Sequence, residues 1–186
     1  MDAFIQTLHK EIDTTTLAFQ NEFGNLPLDL LNIKPNPDTW SIGQNIDHLI
    51  VINESYVPVL AKAHKGQLQV PFWGKLPVVY NFFGNFILKS SGPDRSKKIK
   101  TFPIWQPAQS EVSTDILTRF SEHQKKLKAL ISEAKPLLEK KTLITSPAND
   151  KITYTLEKAF EIIVAHEKRH LIQAKEVKDG LAAGSW

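Results

Sequence analysis

Apolar residues recur at spacings of three, four and seven along four stretches of this chain. That periodicity commits most of the sequence to amphipathic helices that must bury their stripes against one another. The first stretch, about Asp2 to Phe23, carries Phe4, Ile5, Leu8, Ile12, Phe19 and Phe23. The segment LPLDLLNIKPNPDTW then interrupts it, because its three prolines cannot continue a helix. A second helix begins at Ser41, where Ser41 and Gln44 have the spacing of a capping box. Ile42, Ile46, Leu49, Ile50 and Leu60 form its apolar side, and Pro58 is expected to kink or end it. The third, about Glu111 to Leu138, has Ile116, Phe120, Leu127, Leu130, Ile131 and Ala134 on one stripe, with Pro136 ending or bending it. The fourth runs from about Leu156 to Lys178 and is expected to stop before Gly180. No succession of strands appears, although TLITSPANDKITYT leaves room for a short extended piece. The expected architecture is an all-α four-helix bundle, one domain over residues 1–186.

Residues 64–110 link the second and third helices. Glycines and prolines punctuate them, so they read as a long, partly helical crossover. KLPVVYNFFGNFILK is apolar enough for a short helix lying over the bundle. A connection of this length inside a compact domain is often functional. Its aromatics Phe72, Trp73, Tyr80, Phe82 and Phe83 have three available uses: completing the core, roofing a pocket, or forming a dimer surface. Of these, completing the core is the plainest. The excess of aromatics still points to a homodimer.

The chain contains no cysteine. This excludes disulfides, thiolate nucleophiles and thiolate-bound zinc, so any metal must be held by His, Asp, Glu or water. A net charge of +3 is too mild to imply nucleic acid. The lysine runs at Lys97, Lys98 and Lys100 and at Lys140 and Lys141 are short and scattered, and no nucleic-acid partner is expected. The opening MDAFIQTLHKEID lacks a basic region followed by an apolar run, and no stretch approaches ~18 apolar residues. No membrane partner is expected, and a cytoplasmic address is the default.

The chemistry concentrates in AHEKRHLIQA, residues 165–174, which contains H-E-x-x-H. On a helix, His166 and His170 lie ~40° apart on one face. Ala159, Ile162, Ile163, Gln173 and Val177 share that face, so both imidazoles point toward the core. Two neutral rings at i and i+4 can aim one nitrogen each at a single ion. Two core histidines held by hydrogen bonds are the plainer alternative. H-E-x-x-H is also a metallopeptidase signature, but those enzymes take a third ligand from downstream. Here Gln173 and Glu176 stand where the longer signature needs Gly and His, and Glu176 belongs to the same helix. Peptidase activity is therefore not expected.

A third ligand must come from upstream, and the candidates are His9, His48, His64 and His123. His64 sits beside Lys65 and Gly66 at a helix end and should be exposed. His9 flanks the first stripe, and His123 lies on the inward stripe of the third helix. His48 follows the strong helix start in WSIGQNIDHLI, on a strip with Gln44, Asn45, Ile52 and Ser55 that is more polar than the opposite face and suits a pocket at the rim of the bundle. Glu167, ~100° round from His166, has two uses: an outer-sphere base, or a solvated partner for Lys or Arg. Gln173 is placed to hydrogen-bond a ligand or substrate. Asp47 either orients an imidazole or faces water, and Trp40, at the start of the W-S helix, reads as a packing anchor sooner than a substrate wall.

W-S-I-G-Q-N-I-D-H-L-I followed by A-H-E-K-R-H-L-I-Q-A resembles the DinB-like superfamily. S-K-K-I-K-T-F-P-I-W-Q-P and I-T-S-P-A-N-D are similar to connections in its members, and the likeness covers nearly the whole chain in order. The superfamily includes bacillithiol S-transferases and mycothiol-dependent maleylpyruvate isomerases. The resemblance implies a four-helix bundle holding a divalent metal through His48, His166 and His170. Zinc and nickel both suit imidazole. It also implies an enzyme acting on a small molecule, with a low-molecular-weight thiol as the leading substrate class, as a transferase or hydrolase. The alternative is a metal-binding bundle without turnover. Metal and activity should be lost together below roughly pH 6, near the ordinary histidine pKa.

Overall fold

Helix α1 (Asp2–Phe23) buries Ile5, Leu8, Ile12, Phe19 and Phe23, the stripe read from the sequence apart from a half-buried Phe4. A short helix α2 (Leu28–Asn32) fills part of the proline-rich break. Helix α3 (Ile42–Glu54) opens on the full capping box, with the Ser41 hydroxyl accepting from the Gln44 N–H and the Gln44 side chain accepting from the Ser41 N–H. It breaks before Pro58, and α4 (Val57–His64) restarts with that proline in its first turn, where a missing N–H leaves no bond unmade. Gly43 sits where α3 crosses the following layer, and a Cβ there would collide with Val112.

The computed structural model describes residues 1–94, 101–108 and 111–184. The lysine run Lys97, Lys98 and Lys100 lies outside the described residues, as does the first part of S-K-K-I-K-T-F-P-I-W-Q-P. Within the crossover, α5 (Pro77–Ser91) is the helix expected from its apolar composition. Single 3-10 turns stand at Phe72–Lys75 and Pro103–Trp105. Helix α6 (Ile116–Glu133) starts five residues later than expected, and α7 (Lys135–Glu139) continues it after a break set by Pro136.

Strands β1 (Leu143–Ser146) and β2 (Asn149–Thr155) pair antiparallel, so the extended piece is a complete hairpin. Thr155 then caps α8 (Leu156–Ala182) by accepting from the Lys158 N–H. Helix α8 runs through Gly180 instead of stopping before it. The stop is Gly184, whose φ of +62° supplies the left-handed residue that closes a helix. A glycine inside a helix weakens it by only about 1 kcal/mol, which the surrounding turns override.

Helix α1 packs on α6 and α8, and α3 packs on the same two, closing the four-helix square. Helix α5 lies outside it, against β2 and α8. The interior divides into two apolar clusters. One gathers Ile12, Leu60, Ile131, Tyr154 and Phe160, and the other Phe19, Ile46, Leu49, Ile116 and Phe120. Between them the helices bury a polar layer of Thr15, Asn53, His123, Gln124 and Glu167. Among the described residues no helix is long and apolar enough to cross a membrane.

Candidate metal centre

The packing of α3 on α8 sets His48 opposite His166 and His170. One ring nitrogen from each lies within 4.8 Å of the other two. The Nε2 atoms of His166 and His170 are 3.0 Å apart, one turn along α8. Hydrogen bonds decide which nitrogens are free. His48 Nδ1 faces the Trp105 carbonyl at 2.5 Å. A carbonyl only accepts, so Nδ1 carries the proton and Nε2 keeps its lone pair. His170 Nδ1 lies 2.8 Å from Asn45 Oδ1. The Asn45 amide nitrogen donates to the Ser41 carbonyl at 2.9 Å, which fixes the amide orientation and makes Oδ1 the acceptor. His170 therefore also keeps its lone pair on Nε2. Partners of this kind orient metal-binding imidazoles and set their tautomers.

Burial holds His48 down to about 4, against the Trp105 carbonyl and the Asp47 charge, which favour its protonated form. Burial also holds His166 well below its ordinary value, helped by the neighbouring His48 and Arg169. Both rings are thus neutral at pH 7, the state a metal ligand requires. His48 and His170 are 1% and 4% exposed, and His166 is half-buried. The cluster consists of three imidazoles, with no carboxylate drawn into it among the described residues. This donor set fits a divalent ion of the zinc or nickel kind.

Residues 105–108 form a strap along α3. Beyond the bond to His48, the Trp105 indole N–H donates to Ser55 Oγ at 3.0 Å. Gln44 Nε2 donates to the Ala108 carbonyl, and the Ala108 N–H donates to Asp47 Oδ2, each at 3.1 Å. Asp47 therefore neither faces water nor binds an imidazole directly; it fixes the backbone that does. Trp40 is more than an anchor. Its ring stacks on His170 at 5.8 Å and 17° and leans on His48 at 4.7 Å, walling two of the three imidazoles. On the other flank, the buried Arg169 donates to the carbonyls of Gly92 at 3.1 Å and Asp94 at 3.2 Å, pinning the end of α5 to α8.

The remaining upstream histidines go elsewhere. His64 is exposed, and His9 Nε2 reaches the Lys128 carbonyl. His123 is buried, 3.8 Å from Glu54, with its Nε2 unpartnered. Glu167 is fully buried, which overturns the solvated reading: it accepts from Asn53 Nδ2 and Gln124 Nε2, both at 2.8 Å. Burial raises its pKa to about 7. Gln173, one turn beyond His170, holds a buried Oε1 without a partner. Sequence reasoning missed Asn45, Trp105, Arg169, Asn53 and Gln124 as supports. The signal for Asn45 was its place on the polar strip beside His48, and for Trp105 its place inside F-P-I-W-Q-P.

Comparisons with curated proteins and with solved structures gave no match. The family comparison did: residues 11–174 match the DinB superfamily, a span that takes in all three histidines, the whole of α3, and α8 as far as residue 174. The chain belongs to the DinB superfamily.

Proposed function

We propose that this protein is a divalent-metal-dependent enzyme acting on a small molecule, as a thiol transferase or a hydrolase. The observation that carries the reading is the convergence of three imidazoles, two of them with Nδ1 tied away from the centre. An ion held by three neutral ligands keeps its full charge and supplies Lewis acidity that eases deprotonation of a thiol or a water. The chain has no thiol of its own, so a sulfur nucleophile would arrive with a cosubstrate.

The surrounding side chains have roles that follow from their contacts. Trp40 shields His48 and His170 from water. Half-buried His166 leaves the approach on its side. Gln173 Oε1, lacking a partner, accepts from a substrate N–H or O–H in this reading. For Glu167 we propose positioning: its bonds to Asn53 and Gln124 set the rotation of α8, and with it the direction of His166.

The test is metal analysis of the purified protein, followed by a thiol-conjugation and ester-hydrolysis screen with and without the ion. One equivalent of metal is expected, falling sharply in each of His48→Ala, His166→Ala and His170→Ala. Stoichiometric metal in all three variants would refute the site. Bound metal with no turnover, and no uptake of added thiol by the ion's spectrum, would favour a binding bundle over an enzyme.

A further inference from the structure

Helix α5 turns its apolar side outward. On it Val78 at 75%, Phe82 at 63% and Phe86 at 59%, and in the 3-10 turn just before it Phe72 at 84%, are among the most exposed large apolar side chains of the described residues, and Trp73 and Leu76 next along the chain are exposed too. Completing the core, the plain use for these aromatics, is therefore not what Phe72 and Phe82 do. The reason is local. Gly84 is the only buried residue of α5. A Cβ there would come within 2.7 Å of Lys158 Cγ and 3.3 Å of Tyr154 Cβ, so the helix rides close on β2 and α8 along its glycine line. Phe82 lies ~200° round from Gly84, and Val78, Phe82 and Phe86 follow one another at i, i+4 and i+8. The rings of Phe82 and Phe86 are already aligned, 6.1 Å apart at 13°.

We infer that this face is a two-fold interface with a second copy of the chain. At ~200 Å² per aromatic side chain, Phe72, Phe82 and Phe86 leave about 400 Å² bare, and their neighbours bring the face to roughly 700 Å². A monomer rarely leaves more than ~600 Å² in one patch. One side of a standard interface covers ~800 Å². Residues 76–88 contain no charged side chain, which matches the charge-poor centre of a homodimer interface. Exposed Asn81 and Asn85 share the stripe. Each amide carries both a donor and an acceptor, so two copies related by a two-fold axis satisfy them reciprocally, whereas hydrocarbon would leave them unpaired. Lys75 and Lys89 flank the stripe and belong at the rim. The inference stands on α5 and the 3-10 turn that precedes it and does not depend on the metal.

Sedimentation velocity across a wide concentration range tests it. A dimer is expected, tightening as salt screens the rim lysines. Phe82→Glu and Phe86→Glu should each weaken it by roughly 100-fold, with the helical circular dichroism and metal content unchanged. Should either variant fold poorly, the cysteine-free background offers a second measurement: single Cys substitutions at positions 78, 82 and 86 should yield a symmetric interchain disulfide at one of them. A strict monomer overturns the inference, whether or not it binds phosphatidylglycerol vesicles; salt-sensitive vesicle binding would assign the face to a lipid surface instead. A dimer indifferent to both Glu variants, with no disulfide formed, overturns it as well.

Discussion

Glu167 shows how little one residue's neighbours in sequence say about its surroundings. It follows a metal ligand and stands where a peptidase keeps its base, yet its carboxylate faces Asn53 and Gln124 in the layer between the two apolar clusters. Burial raises its pKa from 4.5 to about 7. Between those values the folded chain holds a proton that the unfolded chain has released. The stability from this group is therefore present in full below the unfolded value and is lost as pH rises through about 7, a swing of about 3 kcal/mol. Glu167→Gln removes the titration. Asn53 Oδ1 and Gln124 Oε1 have no partners, so either amide can turn and accept from the new side chain. Urea unfolding of the chelated proteins should show the variant gaining about 3 kcal/mol on the wild type from pH 4.5 to 8. Parallel stability curves would show that Glu167 does not carry this proton. The histidine pair was legible because a spacing of four is fixed by the helix itself. The direction of Glu167 was not, because ~100° round from an inward face is either core or solvent, depending on where α6 lies.

At the scale of elements, the metal centre depends on a strap that no periodicity marks. Residues 105–108 carry the carbonyl that sets the His48 tautomer, and Asp47 and Ser55 hold that strap in place. Asp47→Leu and Ser55→Ala should lower metal affinity by about 10- to 100-fold, the usual effect of losing a ligand's supporting partner. Asp47→Asn keeps an acceptor and should largely restore it. Competition titration with a chromophoric chelator measures the affinity, and 15N spectra of the histidines report whether His48 still carries its proton on Nδ1. Equal affinities with an unchanged His48 signal would reduce the strap to a loop. The helix starts were readable where a side chain declares them, as Ser41 does. The stop of α8 was misplaced by four residues because Gly180 and Gly184 look alike in sequence. Only Gly184 adopts the left-handed conformation, and the backbone of the folded chain decides that. The hairpin was seen only as a connection, since short strands derive most of their stability from pairing and packing.

For the whole molecule, the apolar clusters on either side of the polar layer contain none of the three histidines. Chelation at pH 7.5 should therefore remove the metal and leave the helical circular dichroism nearly intact. Collapse of that signal under mild chelation would make the ion structural. Acid has a sign of its own. With His48 lowered to about 4 by burial, its stability contribution is complete above ~6.5 and is lost as pH falls through about 4. Protons should then compete for the site at a lower pH than the ordinary histidine value implies, and metal retained at pH 5.5 is the expected result of equilibrium dialysis. Release already complete at pH 6 would count against the buried, neutral site. The sequence by itself determined the helices, the inward pair on α8 and the cap that starts α3, because each depends on residues within a few turns of one another. The family resemblance named His48 as the third ligand. Only the tertiary structure brought it, from more than a hundred residues away, opposite that pair, turned Glu167 inward and left the aromatic side of α5 bare. Those outcomes depend on which helices pack together, and a periodicity of 3.6 residues carries no record of its partner.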